Sequence, residues 1–257
     1  VCTFNYTVQE TANPANTTKN TVTMTINGQT NDAAGLNWKG TAGADNKTGA
    51  AYEDILQGLD GNDTLAGGDR TDVLNGGNGN DALDGGNGID YLYGDNGNDT
   101  VSGGGDDDFL YAGNGDDSLS GGSGNDYLSG DNGNDILNGY IGDDSLLGGN
   151  GDDQLNGGDG NDLIVGDAGN DKLYGGTGKD TFVFGKGSGE DKIFDFSIAE
   201  GDVVKISSDT GITSFTQLLK GMEAEKGGVE IEMGKGGEVF LAGVTMSDLS
   251  AAQFLFI

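Results

Sequence analysis

The chain has 257 residues and a mass of 26.1 kDa, a formal charge of −31, 52 glycines, one proline and 33% hydrophobic residues. So acidic and aliphatic-poor a composition borders on the disordered class unless something neutralises it, and it repels nucleic acid and anionic membrane surfaces. The absence of histidine excludes a His-containing zinc site or a Ser-His-Asp triad, the lone Cys2 excludes an internal disulfide, and no apolar run reaches membrane-spanning length.

In chain order, residues 3–9 and 21–27 predict two strands by alternation (Val22, Met24, Ile26), separated by a loop that holds Pro14. Phe4-x-Tyr6-x-Val8, Val22-x-Met24-x-Ile26-Asn27-Gly28 and Asn31-Asp32 resemble the last strands of the cadherin- or immunoglobulin-like extender domains of large bacterial adhesins. Two strands make no sandwich alone, so 1–39 is expected to be the end of such a domain or a linker, with Asp32 a turn residue or an interdomain calcium ligand. The chain opens on Val1, and it is expected to be a piece of a longer protein.

From 58 to 183 the chain is fourteen consecutive nine-residue units without insertion, as in Gly76-Gly77-Asn78-Gly79-Asn80-Asp81-Ala82-Leu83-Asp84. Position six is always aspartate: Asp63, Asp72, Asp81, Asp90, Asp99, Asp108, Asp117, Asp126, Asp135, Asp144, Asp153, Asp162, Asp171 and Asp180. Position eight is always apolar, from Leu65 to Phe182. Two degraded units precede the array, 40–48 around Asp45 and 49–57 around Asp54, with Lys47 in an apolar slot, which predicts a frayed cap. One inward side chain between two outward ones predicts a three-residue strand, followed by a six-residue glycine-rich turn. Two units then make one eighteen-residue coil, and stacked coils make two parallel sheets around a thin aliphatic core, each coil touching only its neighbours. One buried leucine per unit contributes about 2 kcal/mol, whereas ordering nine residues costs on the order of 9–18 kcal/mol, so the turns need further cohesion.

The aspartate ladder supplies it. Carboxylates and turn carbonyls are oxygen-only ligands suited to a hard divalent cation, and calcium tolerates loop geometry. Aspartates eighteen residues apart, such as Asp81 with Asp99 and Asp90 with Asp108, are expected to face a common gap. Two columns of seven loops leave twelve gaps, and the array carries 26 Asp against Arg70, Lys172 and Lys179, a net −23 that twelve Ca²⁺ would nearly cancel.

These units resemble the RTX nonapeptide Gly-Gly-x-Gly-x-Asp-x-apolar-x, a calcium-binding repeat. The resemblance implies an all-β fold, a right-handed parallel β-roll with eighteen residues per coil. It also implies that position-six carboxylates bridge turns while loop-glycine backbone oxygens complete each shell: Gly77, Gly79, Gly86, Gly88, Gly122, Gly124, Gly149, Gly151, Gly158, Gly160, Gly176 and Gly178. Arg70, Asp106, Tyr140 and Leu59 replace consensus glycines, and the gaps touching Arg70 are expected to be the weakest.

Outward positions differ between the sheets. Even units carry Tyr91, Tyr93, Phe109, Tyr111, Tyr127, Leu147, Leu163 and Val165, whereas odd units carry Thr64, Asp84, Ser102, Ser118, Ser120, Asn138, Gln154 and Lys172. One outer face should therefore be apolar, and a helix at 214–225 is expected to cover part of it.

After the roll (40–183), the segment 184–257 predicts a small α+β cap. Thr181-Phe182-Val183-Phe184 and 187–196 are similar to the segment closing many RTX rolls, and Asp191, at position six of one last imperfect unit, is a candidate terminal metal ligand. Ser214-x-x-Gln217 predicts a capping box opening a helix with Phe215, Leu218, Leu219 and Met222 on one stripe. The segments 229–232 and 239–241 predict a hairpin joined by 233–237. The final 247–257 is similar to the apolar tails of type I secretion substrates, and equally fits an ordinary last strand.

Together these features predict a non-enzymatic, calcium-folded module at the C-terminus of a secreted or surface-retained RTX adhesin. Its partners would be about twelve calcium ions and the type I secretion machinery, with a surface or host ligand unspecified and no nucleic acid or membrane insertion. The alternatives are the non-catalytic tail of a secreted protease or lipase, or an ice- or ligand-binding face. The chain has no Gly-x-Ser-x-Gly elbow, and loop positions three and five lack a threonine ladder.

Overall fold

The computed structural model describes residues 35–234 and 237–257. The strands expected at 3–9 and 21–27, and Asp32, lie outside the described residues. From Asn37 onward successive strands alternate between two sheets, because each nine-residue unit turns the chain through half a coil. The first sheet has eleven strands, taken from every second unit, and the second has twelve. Pairing is parallel at a shift of eighteen residues, as in Leu119↔Val101 and Leu119↔Leu137, up to the cap.

Up to Lys172–Thr177 each array strand is six residues long rather than the expected three, running from position seven of one unit to position three of the next, as in Phe109–Asn114 and Ser118–Ser123. The ladder skips position one: Tyr127, Leu128 and Ser129 pair with Phe109, Leu110 and Tyr111, and pairing resumes at Asp131↔Gly113. The glycine stretch thus stays hydrogen-bonded to its neighbours on either side of position one, and only positions four to six form the turn. Unpaired main-chain groups would be costly in so thin a body, which favours pairing in the glycine segments as well.

Positions two and four are left-handed throughout the array, with φ of 114° at Gly122 and 136° at Gly124. That conformation disfavours side chains and explains the glycine consensus. Leu59, Arg70, Asp95, Asp106, Asp131, Tyr140 and Asp167 adopt it without glycine, Tyr140 at φ 77° with an exposed side chain. The loop at Arg70 keeps its shape, its N–H donating to the Asn87 carbonyl at 2.6 Å.

The position-eight residues form one file of fully buried aliphatics from Leu56 to Leu173, closed by Phe182, Phe184 and Ile193. Lys47 does not fray its unit: Asn46–Thr48 is a paired strand with Lys47 opposite Leu65, and Trp38 of Asn37–Lys39 sits opposite Leu56.

Beyond the array, Gly189–Ile193 continues one sheet, Gly237–Ala242 adds to it in parallel, and Gly228–Glu232 and Met222–Glu225 follow, each antiparallel to the strand before it in the sheet. The hairpin is where the alternation places it. The helix is shorter than predicted: Phe215–Leu218 is α, Leu219–Gly221 is 3-10, and Met222 already begins a strand. Gly221 and the alternating Met222-Glu-Ala-Glu end it. Ser214 makes no side-chain cap; instead Gln217 Oε1 accepts from Thr213 N–H, and the working capping box is Ser250 with Gln253. The final Phe254–Phe256 is a strand parallel to Val203–Ile206, with Phe254 buried against Phe215. Among the described residues no helix is long and apolar enough to cross a membrane.

The apolar outer face lies on one sheet, as the sequence implies. Tyr91 stacks on Phe109 at 5.0 Å and Tyr93 on Tyr111 at 5.2 Å, and Tyr127 tilts against both files. These rings find their partners in one another. The 215–218 helix packs at the C-terminal end on Phe254, not over this face as expected.

Candidate metal centre

Position six sits where the turn re-enters a strand, which points its side chain inward beside the leucine file. Each such aspartate is buried, from Asp63 to Asp180, and Asp191 joins them. Oδ1 accepts the backbone N–H of the aspartate eighteen residues earlier: Asp108 N–H donates to Asp126 Oδ1 at 2.8 Å, and Asp126 N–H to Asp144 Oδ1 at 2.7 Å. Asp171 N–H likewise donates to Asp191 Oδ1 at 2.9 Å. The bond recurs on every rung, so the aspartates that sequence spacing placed eighteen apart do stack along the axis.

Oδ2 is different. In Asp63, Asp72, Asp81, Asp90, Asp99, Asp108, Asp117, Asp126, Asp135, Asp144, Asp153, Asp162, Asp171, Asp180 and Asp191 this oxygen is sealed from solvent and has no hydrogen-bond partner. In every unit of the array that has glycine at position one, it lies over that glycine. A Cβ there would overlap it, as at Gly85 with Asp90 Oδ2 or Gly103 with Asp108 Oδ2. The same space is faced by the position-one carbonyl of the next coil, Gly103 O above Gly85 and Gly121 O above Gly103. Thirteen units have glycine at position one and Ala112 is the exception. Sequence reasoning overlooked these position-one carbonyls, although the near-constant glycine was their signal.

The carbonyls at positions two and four also point along the axis into the gaps between coils: a Cβ on the glycine eighteen residues later would overlap those of Gly79, Gly86, Gly124, Gly151, Gly158 and Gly160. Gly77, Gly88, Gly122 and Gly149 hold equivalent loop positions with φ of 106°, 121°, 114° and 110°. Gly176 and Gly178 belong to the last regular loop.

The file ends where the protein supplies its own donors. Asp54 Oδ2 accepts from Ala50 N–H at 2.5 Å, and Asp45 Oδ2 from Thr41 N–H at 2.6 Å. At the other end Asp180 N–H donates to Asp202 Oδ1 at 2.9 Å, and Asp202 Oδ2 accepts from Ser197 N–H at 2.7 Å. Asp202 was missed in the sequence because it falls 22 residues after its partner, out of phase. Its local signal, Asp202-Val203-Val204, repeats the Asp-x-apolar pattern.

A sealed carboxylate with a bare oxygen must hold a proton or meet a cation. Burial pushes Asp90 and Asp162 up to about 7 and Asp108 and Asp191 up to about 8, against the pull of the accepted N–H and with neighbouring carboxylates adding to the rise. Among the described residues no three acidic or thiol side chains converge into a metal-binding group, so an ion here would draw on main-chain oxygens as well. The oxygen-only donor set fits a hard cation of calcium's type.

A family model described as the RTX calcium-binding nonapeptide repeat matches at 39–69, 57–92, 84–119, 93–128, 120–155, 129–164 and 156–191, which together span more than half of the chain. The chain belongs to this family. RTX nonapeptide repeats bind calcium, and the matched repeats contain the buried aspartates from Asp63 to Asp180. Among solved structures the RTX roll is similar to the extracellular lipase LipA from Serratia marcescens, at 20% identity and a TM-score of 0.41, over 81% of this chain and 40% of the lipase. The chain thus spans less than half of that lipase's length. No curated protein matches.

Proposed function

We propose that this chain is a non-catalytic module of a secreted RTX adhesin whose folding is driven by calcium, supporting export and extracellular folding. The observation that carries the reading is the pair of unbroken files, fifteen sealed, unpartnered Oδ2 atoms in all. Each gap between coils would hold an ion through position-six carboxylates eighteen residues apart and the carbonyls at positions one, two and four, about twelve in the regular array. Bound there, calcium supplies the positive charge that the net −23 array lacks, and its binding free energy becomes folding free energy.

In a low-calcium cytosol the buried carboxylates would have to ionise without partners, so the chain stays extended and suited to a narrow exporter. Outside, where extracellular calcium modules bind at roughly 0.1–1 mM, the coils close. The resemblance of 1–32 to adhesin extender domains supports the adhesin over a hydrolase tail, and that of 247–257 to type I secretion tails supports export by that route. Far-UV circular dichroism tests the switch: strand signal with millimolar calcium and coil with chelator are expected, and an unchanged spectrum would refute it. Equilibrium dialysis then counts the ions.

A further inference from the structure

Position three of one loop column is an asparagine file that the repeat consensus does not specify. Asn78, Asn96, Asn114, Asn132 and Asn150 each donate Nδ2–H to the side chain eighteen residues earlier, at 2.7 to 3.0 Å, and the file starts on Asp60. Asn87 does the same to Asp69 at 2.9 Å in the other column. A glycine follows each of these six asparagines.

Asn-Gly is the dipeptide with least obstruction to self-attack. The glycine nitrogen adds to the asparagine Cγ, a C–N bond forms, and the Cγ–Nδ2 bond breaks with ammonia carrying off the glycine proton. Water then opens the five-membered imide to aspartate or isoaspartate. In the roll both reacting groups are engaged. Besides the Nδ2 bonds, the glycine nitrogens are held as donors to the next coil: Gly97 N–H to Asn114 O at 2.8 Å, Gly115 N–H to Asn132 O at 2.8 Å, and Gly133 N–H to Asn150 O at 2.9 Å. Gly79, Gly88 and Gly151 are held in the same way.

We infer that these six Asn-Gly pairs form a folding-gated modification site, intact while the coils are stacked and deamidated while the chain is open. The product opposes refolding. Aspartate occurs at position three at Asp60, Asp69 and Asp159, and each accepts from the donor one coil on, Asn78, Asn87 or Thr177. No two are neighbours in a column, since Asp69 and Asp159, which share one, lie five coils apart. An aspartate formed at position 114 would lose its bond to Asn96 Oδ1 and set acceptor against acceptor, and isoaspartate would add a main-chain carbon to a coil of fixed register. Time spent unfolded is thus recorded irreversibly in the chain.

The link to calcium rests on the proposed calcium-driven folding; the protection itself does not, and the test separates them. The full chain is incubated with calcium, with chelator, and with calcium plus denaturing urea, its fold followed by circular dichroism and the six sites by peptide mass mapping. The pairs should convert at least about tenfold slower folded than in urea, equivalent to about 1.4 kcal/mol of opening free energy. Equal rates in those two arms overturn the inference. A chelated chain that stays folded and unmodified refutes the calcium switch but supports the protection. N114D, carrying the product in advance, should melt lower in calcium, and an unchanged melt would overturn the claimed bar to refolding.

Discussion

Replacing Asp126 by asparagine separates the two roles of the carboxylate. Asp126 is 2% exposed; its Oδ1 accepts from Asp108 N–H and its Oδ2 is bare. Asparagine keeps the Oδ1 acceptor and removes the charge. With calcium bound as proposed, the variant would lose a ligand from the gaps toward Asp108 and Asp144. An ion of Kd about 0.1 mM contributes about 1.4 kcal/mol at 1 mM, so two contribute about 3 kcal/mol. For a domain of this size that lowers the melting temperature by about 6–12 °C. Without calcium the deficit shrinks. Burial pushes Asp126 up to about 6 from 3.8, which disfavours its charged form by about 3 kcal/mol before solvent screening reduces the figure. Asparagine avoids that cost, though its amide N–H₂ is then left unpaired at about 1–3 kcal/mol. Thermal melts by circular dichroism across free calcium should show a deficit at 1 mM that narrows as calcium falls, and closes or reverses at the lowest concentration that still gives a transition. A deficit independent of calcium would refute the reasoning.

Metal-free stability should depend on pH. Asp90, Asp135 and Asp162 sit near 7 and Asp108 near 8, above their unfolded value, so the folded chain binds protons more tightly. The contribution is complete below about pH 4 and is lost as pH rises through about 8; melts in chelator check it, and excess calcium should reverse the trend. Tyr140→Gly relieves a left-handed φ of 77° at an exposed position and should raise stability by about 1 kcal/mol in denaturant titrations. Leu128→Ala should cost about 2–5 kcal/mol by the same measurement, since it opens a cavity in a one-residue-wide core. Asp202→Ala leaves the N–H of buried Asp180 without its acceptor and should cost about 1–3 kcal/mol.

The coil, its core and the two files of aspartates are legible because two positions hold phase through fourteen units, and a period of nine leaves little freedom in what stacks on what. The aromatic face was readable from the same alternation. Strand length was not. Glycine has no strand preference of its own, and its pairing in Phe109–Asn114 comes from the neighbouring coils, which a single unit does not display. Asp202 was hidden by a break of phase after Asp180, and the helix at 215 was overestimated because apolar spacing at Leu219 and Met222 fits a helix as well as a strand entry. The asparagine file needs the pairing register to be seen, because its members are far apart in sequence and mixed with aspartate and alanine at the ends.

Because each carboxylate serves the amide of the coil before it, the roll has a direction that its repeat does not advertise. Shortening it from the front removes a debtor and leaves every remaining position-six amide supplied. Shortening it from the back strips the creditor from a buried amide and exposes it. The two ends are therefore unequal as starting points, and a nascent edge is complete only when the following coil is already in place.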